Sequence, residues 1–304
     1  MSLMTVFITP KGFDRPHIAL IQRNAIRSWK ELAPDVSVIL IGDDPGVAEA
    51  AAELGVQHVP QVRRNASGTP LLSDIFAIAR KASESPLLAY VNADIILMPN
   101  FLEVAQIISQ TEAKFLLVGQ RWDLDIREPL DFSTGWQDRL MADVATRGRR
   151  HPASGSDYFI YPRVCFETLP EFAIGRSGWD NWMFYEARLK DWKLVDCSDT
   201  IDIIHQDHDY AHLPGGQPHY RQAESFENVK IAGGQRTVFT LPDCNWKMNR
   251  DGSLSRPPLT KAKFLREAEI FPLVGLKSKV LGDLAFALFH PKKAYGELRE
   301  KLKK

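Results

Sequence analysis

The chain has 304 residues, of which 44% are hydrophobic, enough to bury one large core. Its 38 basic residues balance 38 acidic ones, which argues against general nucleic-acid binding, because that needs a basic footprint. Three cysteines without a C-x-x-C pair argue against a disulfide framework or a cysteine zinc site, and they favour a reducing compartment.

Val6 to Thr9 is a short apolar run ending at Pro10 and reads as a buried strand. Ile18, Ile21, Ala25, Trp29 and Leu32 then recur at helical spacing. Val36 to Ile41 predicts a second strand, closed by Gly42-Asp43-Asp44. In the next helix Asp44 suits the N-cap, Pro45 the first position and Gly55 the stop. Val56 to Val59 predicts a third strand, and Ile75, Ile78 and Ala79 mark the inner face of a further helix. Leu87 to Val91 is apolar enough for a central strand. Asn100 and Glu103 predict a capping box, and Phe115 to Val118 predicts a fifth strand. About five alternations imply an α/β fold with a mostly parallel sheet and helices on both faces. The expected division is 4–120 as a nucleotide-binding half, 121–255 as an irregular acceptor half, and 256–304 as a helical tail after Arg256-Pro257-Pro258.

Four segments carry chemistry. In Asn92-Ala93-Asp94, strand alternation puts Asn92 and Asp94 on one side at the carboxyl end of a central strand. Two oxygen-bearing side chains there suit Mg²⁺ or Mn²⁺; the plainer alternative is that they close a turn. Asp157, in Ser154-Gly155-Ser156-Asp157-Tyr158, suits a sugar hydroxyl or a turn cap. Gly178-Trp179-Asp180-Asn181-Trp182 opens a helix. Asp180 beside tryptophans has the environment of a general base, or is simply an N-cap, and Trp179 or Trp182 could stack on a sugar. Ile201 to Ile204 reads as a strand delivering His205 to its end, and imidazole suits a transition metal. His212 and His219 read as loop polarity, with His208 between the two cases. Asp43 and Asp44 are candidates for ribose or base contact, while Gln22, Arg23, Arg27, Arg63 and Arg64 carry less weight.

Together these blocks resemble the GT-A glycosyltransferases, a superfamily using nucleoside-diphosphate sugars. They are also similar to a group of glycosyltransferase-like proteins of bacteria and plants with the same N-A-D, S-G-x-D-Y-F, G-x-x-x-W-D-N-W and H-Q-x-H-D-Y blocks. The resemblance implies a GT-A type, Rossmann-like fold. It also implies a metal site of Asp94 and His205, Asp180 as the base that activates an acceptor, and Asn92 in the place of the first Asp of a D-x-D motif. An in-line displacement with that base inverts the anomeric centre. Two other classes share part of this pattern, and a dinucleotide-binding dehydrogenase less so, since no G-x-G-x-x-G follows the first strand. A nucleotidyltransferase normally has a phosphate loop after its first strand, for which Thr9-Pro10-Lys11-Gly12 is too short. A non-catalytic sugar or nucleotide binder would bind without turnover. The expected location is the cytoplasm. Residues 270–293, apolar with interspersed lysines, are a candidate contact with the inner face of a membrane or a face packing on the domain.

Overall fold

The computed structural model describes residues 2–208 and 222–302, so His212 and His219 lie outside the described residues. Short apolar runs bounded by turn residues become the strands. They are β1 (Met4–Ile8), β2 (Val36–Ile41), β3 (Gln57–Val59), β4 (Leu87–Val91), β5 (Ile95–Leu97), β6 (Phe115–Val118) and β7 (Trp122–Leu124). After them come β8 (Arg149–Arg150), β9 (Tyr158–Pro162), β10 (Lys193–Asp196), β11 (Ile203–Gln206), β12 (Trp246–Met248) and β13 (Leu254–Ser255). The helices are α1 (Pro16–Lys30), α2 (Val47–Leu54), α3 (Leu72–Ala82), α4 (Asn100–Thr111) and α5 (Trp136–Arg147), then α6 (Trp179–Leu189), α7 (Ala223–Ala232), α8 (Lys261–Val274), α9 (Lys279–Phe289) and α10 (Pro291–Leu302).

The main sheet runs β13-β12-β10-β6-β9-β4-β1-β2-β3. Neighbours are parallel except β9, which is antiparallel to β4 and β6, and the edge pair β12–β13. The α/β class and the mostly parallel sheet are therefore as the sequence predicts. At the centre Phe76 lies between Tyr90 and Tyr161, with centroids 5.9 and 5.6 Å away, and it packs edge-on against Phe7. Burying each such ring contributes on the order of 2–3 kcal/mol.

A second sheet, β5-β11-β7-β8, holds two segments that the sequence reading did not separate from the main one. The run after Asp94 leaves the main sheet as β5. Its outer edge is satisfied by α1, where Trp29 Nε1 donates to the Ile95 carbonyl at 2.8 Å and Ser28 Oγ accepts from Leu97 N at 3.0 Å. This removes the cost of a buried unpaired strand edge. The strand expected over 201–204 starts at Ile203 and pairs antiparallel with β5 and parallel with β7.

Two caps differ from expectation. α2 starts at Val47 after Gly46 at φ +80°, because Phe13 packs over that turn; a Cβ on Gly46 would lie 2.9 Å from Phe13 Cβ. Asp44 instead faces Arg64 at 3.3 Å. Asn100 does not cap α4: its side chain bonds the Asp202 carboxylate and backbone N–H across the second sheet. Gly55 does close α2 in the left-handed conformation.

The tail is helical and docked. Arg188 on α6 pairs with Glu267 at 2.7 Å, and Arg266 reaches Asp243 at 2.8 Å. Leu273, Val274 and Phe286 are buried, while Val280, Leu281 and Leu284 are exposed, so the predicted packing face and an outward apolar face coexist.

Candidate functional site

A cleft of about 920 Å³ opens where β1 and β4 end. Ligands in open α/β sheets bind at such carboxyl edges. Its walls include Lys11, Arg15, Asn92, Asp94, Asp157, Trp179, Asp180, His205 and His208. Asp94, Asp180 and His205, well separated in sequence, thus line one cavity.

Strand register explains the histidine. β11 pairs with β5 so that His205 faces Ile95, next to Asp94, and with β7 so that His205 faces Asp123. His205 Nε2 lies 3.9 Å from Asp94 Oδ2, and His208 Nε2 lies 3.0 Å from the same oxygen. Asp94 Oδ1 is buried without a hydrogen-bond partner among the described residues. On the far side of the ring, His205 Nδ1 lies 3.1 Å from Asp123 Oδ1 and 3.7 Å from Asp207 Oδ1. Asp123 itself accepts from Arg121 Nε at 2.8 Å and faces His151 Nδ1 at 2.8 Å.

Burial alone would raise the Asp94 carboxyl, but His208, His205 and Lys11 overcome it and hold it well below the ordinary range. Burial likewise opposes a charged His205, and Asp123 and Asp94 outweigh it, so its pKa lies above the usual imidazole value. Lys11 moves the other way: burial lowers it, with Asp94 opposing.

Asp94, His205 and His208 present ligand atoms within 4.8 Å of one another, as do Asp123, His205 and Asp207. A buried carboxylate with one oxygen 3.0 and 3.9 Å from two imidazole nitrogens, and the other without a partner among the described residues, fits a divalent cation such as Mn²⁺. Asn92 is engaged elsewhere. Its Nδ2 donates to Asp157 Oδ1 at 2.9 Å, and its backbone N–H bonds the Asp157 carbonyl. Asp157 is also clamped by Arg121 Nη1 at 2.8 Å to both oxygens. A chain of contacts therefore runs from Asn92 through Asp157, Arg121 and Asp123 to His205.

Asp180 sits in the first turn of α6. Gly178 precedes it at φ +106°, and its backbone N–H donates to Asp180 Oδ1 at 3.1 Å. Desolvation is the largest influence on this carboxyl and raises its pKa, the charge of Asp157 adds to the rise, and the backbone N–H groups oppose it.

Several candidates fall elsewhere. Trp182 does not border the cleft; it is buried and packs against Phe166 and Phe172 in the core. Trp179 borders it at 6% exposure, its ring held by Tyr90 and Phe159, so it forms wall rather than an open platform. Asp43 points outward to Arg64 at 2.7 Å and does not border the cleft; Asp44 does. Arg23 pairs with Glu53, Arg27 lies over Phe132 and Arg63 pairs with Asp74 and Glu171, whereas Gln22 and Arg64 border the cleft.

The sequence reading missed Lys11, Arg15, Arg121 and Asp123. Arg121 and Asp123 stand two apart around the start of a strand, a spacing that puts both on one face. Lys11 lies in the loop judged too short for a phosphate loop, and it enters the cleft from there.

No protein-family model and no curated protein matches the chain. Solved structures do. A glucosyl-3-phosphoglycerate synthase of M. tuberculosis aligns at 14% identity and TM-score 0.48, over 77% of this chain and 81% of that one. A structure of the Mycobacterium tuberculosis enzyme with Mn²⁺, UDP and phosphoglyceric acid aligns at 15% identity and TM-score 0.46, over 85% and 88%. S. aureus TarS in complex with UDP-GlcNAc aligns at 13% identity and TM-score 0.46, over 76% of this chain and 65% of that one.

Proposed function

We propose that the protein is a glycosyltransferase moving a sugar from a nucleoside-diphosphate donor to an acceptor hydroxyl. The observation that carries this reading is the meeting of Asp94, His205 and Asp180 in one cleft at the sheet's carboxyl edge. Asp94, His205 and His208 would hold Mn²⁺ or Mg²⁺, which supplies positive charge beside a diphosphate leaving group. Lys11 and Arg15, on the same cleft, add charge for the phosphates. Asp157 and Asn92 line the sugar or acceptor side, with Arg121 fixing Asp157 in place.

Asp180 acts as base. Its carboxylate takes the proton of the acceptor hydroxyl, whose oxygen bonds to the anomeric carbon. The bond from that carbon to the donor phosphate oxygen breaks, and its electron pair leaves with the nucleoside diphosphate. Attack opposite the leaving group inverts the centre. Burial raises this carboxyl, which makes it a stronger base once ionised.

The test is release of nucleoside diphosphate from a panel of UDP- and GDP-sugars with Mn²⁺, followed by NMR of the product's anomeric configuration. Turnover that Asp180→Asn lowers by about 10²–10⁴ supports the reading. A product that keeps the donor's configuration rejects the single displacement. Tight Mn²⁺-dependent UDP or GDP binding with no turnover of any donor rejects the enzyme in favour of a binding module.

A further inference from the structure

Of sixteen large apolar side chains exposed among the described residues, twelve lie between Leu259 and Leu298. That concentration exceeds the scattered exposure normal on a soluble surface. It centres on α9, which is apolar on two sides. One side carries the buried Gly282 and Phe286 against α8, so closely that a Cβ on Gly282 would sit 2.9 Å from Leu273 Cβ. The other carries Val280, Leu281, Leu284 and Leu288, all exposed. Their spacing of one, four and eight residues makes a single stripe along the helix. The helix has two charged residues, Lys279 and Asp283, and Asp283 is neutralised by Arg236 at 2.8 Å.

Charge identifies the occupant. Residues 259–304 carry 11 Lys and Arg against 5 Asp and Glu, a net of +6 on a chain that is neutral overall. Lys279, at the start of α9, and Lys292 and Lys293, at the start of α10, are exposed. A second copy of the chain seated on this face would set one cationic segment against another. An anionic lipid surface complements both the stripe and the lysines. No helix among the described residues is long and apolar enough to cross a membrane. Eleven residues rise only about 16 Å, so α9 would lie in the plane of the interface.

We propose that α9, with Lys279, Lys292 and Lys293, docks the protein on an anionic bilayer surface, its Val280-Leu281-Leu284-Leu288 stripe entering the headgroup boundary. The site is independent of the cleft and of its chemistry.

Co-sedimentation of the full chain with phosphatidylcholine vesicles, with and without phosphatidylglycerol, tests this. Binding is expected only with phosphatidylglycerol, to weaken with added salt, and to fall about fivefold for each lysine changed to glutamine. Leu284→Glu/Leu288→Glu is expected to abolish pelleting while keeping the wild-type thermal melt, since both side chains are exposed. Should that variant fail to fold, the salt and lipid dependence of the wild-type chain still decides. Absence of pelleting with anionic vesicles, or equal pelleting with neutral ones, overturns the proposal. So does a concentration-dependent dimer in analytical ultracentrifugation that Leu284→Glu/Leu288→Glu dissolves while vesicles stay unbound.

Discussion

At the scale of single residues, the neutral Asn92 is explained by its neighbour. Its amide donates to Asp157, so a carboxylate at 92 would face another carboxylate with no proton between them. Asn92→Asp is expected to cost about 1–3 kcal/mol, read as a lower urea midpoint at neutral pH. Asp180 carries the opposite kind of strain. Its folded pKa is raised above the ordinary 3.8, so its ionised form is disfavoured in the fold. Stability from this group is fully present below the unfolded pKa and lost as pH rises through the folded one. Asp180→Asn keeps an acceptor for Gly178 N–H and should therefore raise the melting temperature at neutral pH. That gain should vanish as pH falls to the unfolded value near 3.8; a variant melting lower than wild type at neutral pH would contradict it. The same shift places the acid limb of activity above that of an ordinary carboxylate. In the proposed site Asp123 would act through His205 rather than on a substrate. Asp123→Asn is expected to weaken Mn²⁺ binding about 10–100-fold by calorimetry while leaving the fold intact.

At the scale of elements, the site depends on two strands that leave the main sheet. The sequence pointed to His205 at a strand end and Asp94 at another, because both follow short apolar runs. It could not show that β5 and β11 pair with each other in a second sheet, since partner choice depends on α1 sealing the β5 edge. The core position of Trp182 was hidden for a related reason: its neighbours Phe166 and Phe172 come from segments with no regular period. Gly178 belongs to the same scale. It holds φ +106°, and a Cβ there would lie 3.1 Å from Val229 Cγ2. Gly178→Ala is expected to lower stability by about 1–2 kcal/mol and to lower turnover more than donor affinity, because it shifts the turn presenting Asp180. Matching melting curves for wild type and variant would contradict this.

At the scale of the molecule, the α/β alternation was legible because strands and helices in the first 118 residues have clean periods and Gly or Pro punctuation. The convergence of Asp94, Asp180 and His205 was legible only as an expectation resting on motif order. Lys11, Arg15 and Arg121 escaped because one cation in a loop reads the same whether it faces solvent or a cleft. The chain of contacts from Asn92 to His205 joins the proposed acceptor side to the proposed metal side, so the two halves are expected to respond together. The most direct test is a crystal soaked with UDP and MnCl₂, with the metal located by its anomalous signal. The account predicts manganese within bonding distance of Asp94 and at least one of His205 and His208, with the diphosphate beside Lys11. Manganese and nucleotide bound outside this cleft, or nucleotide bound there with manganese absent from Asp94, would contradict it.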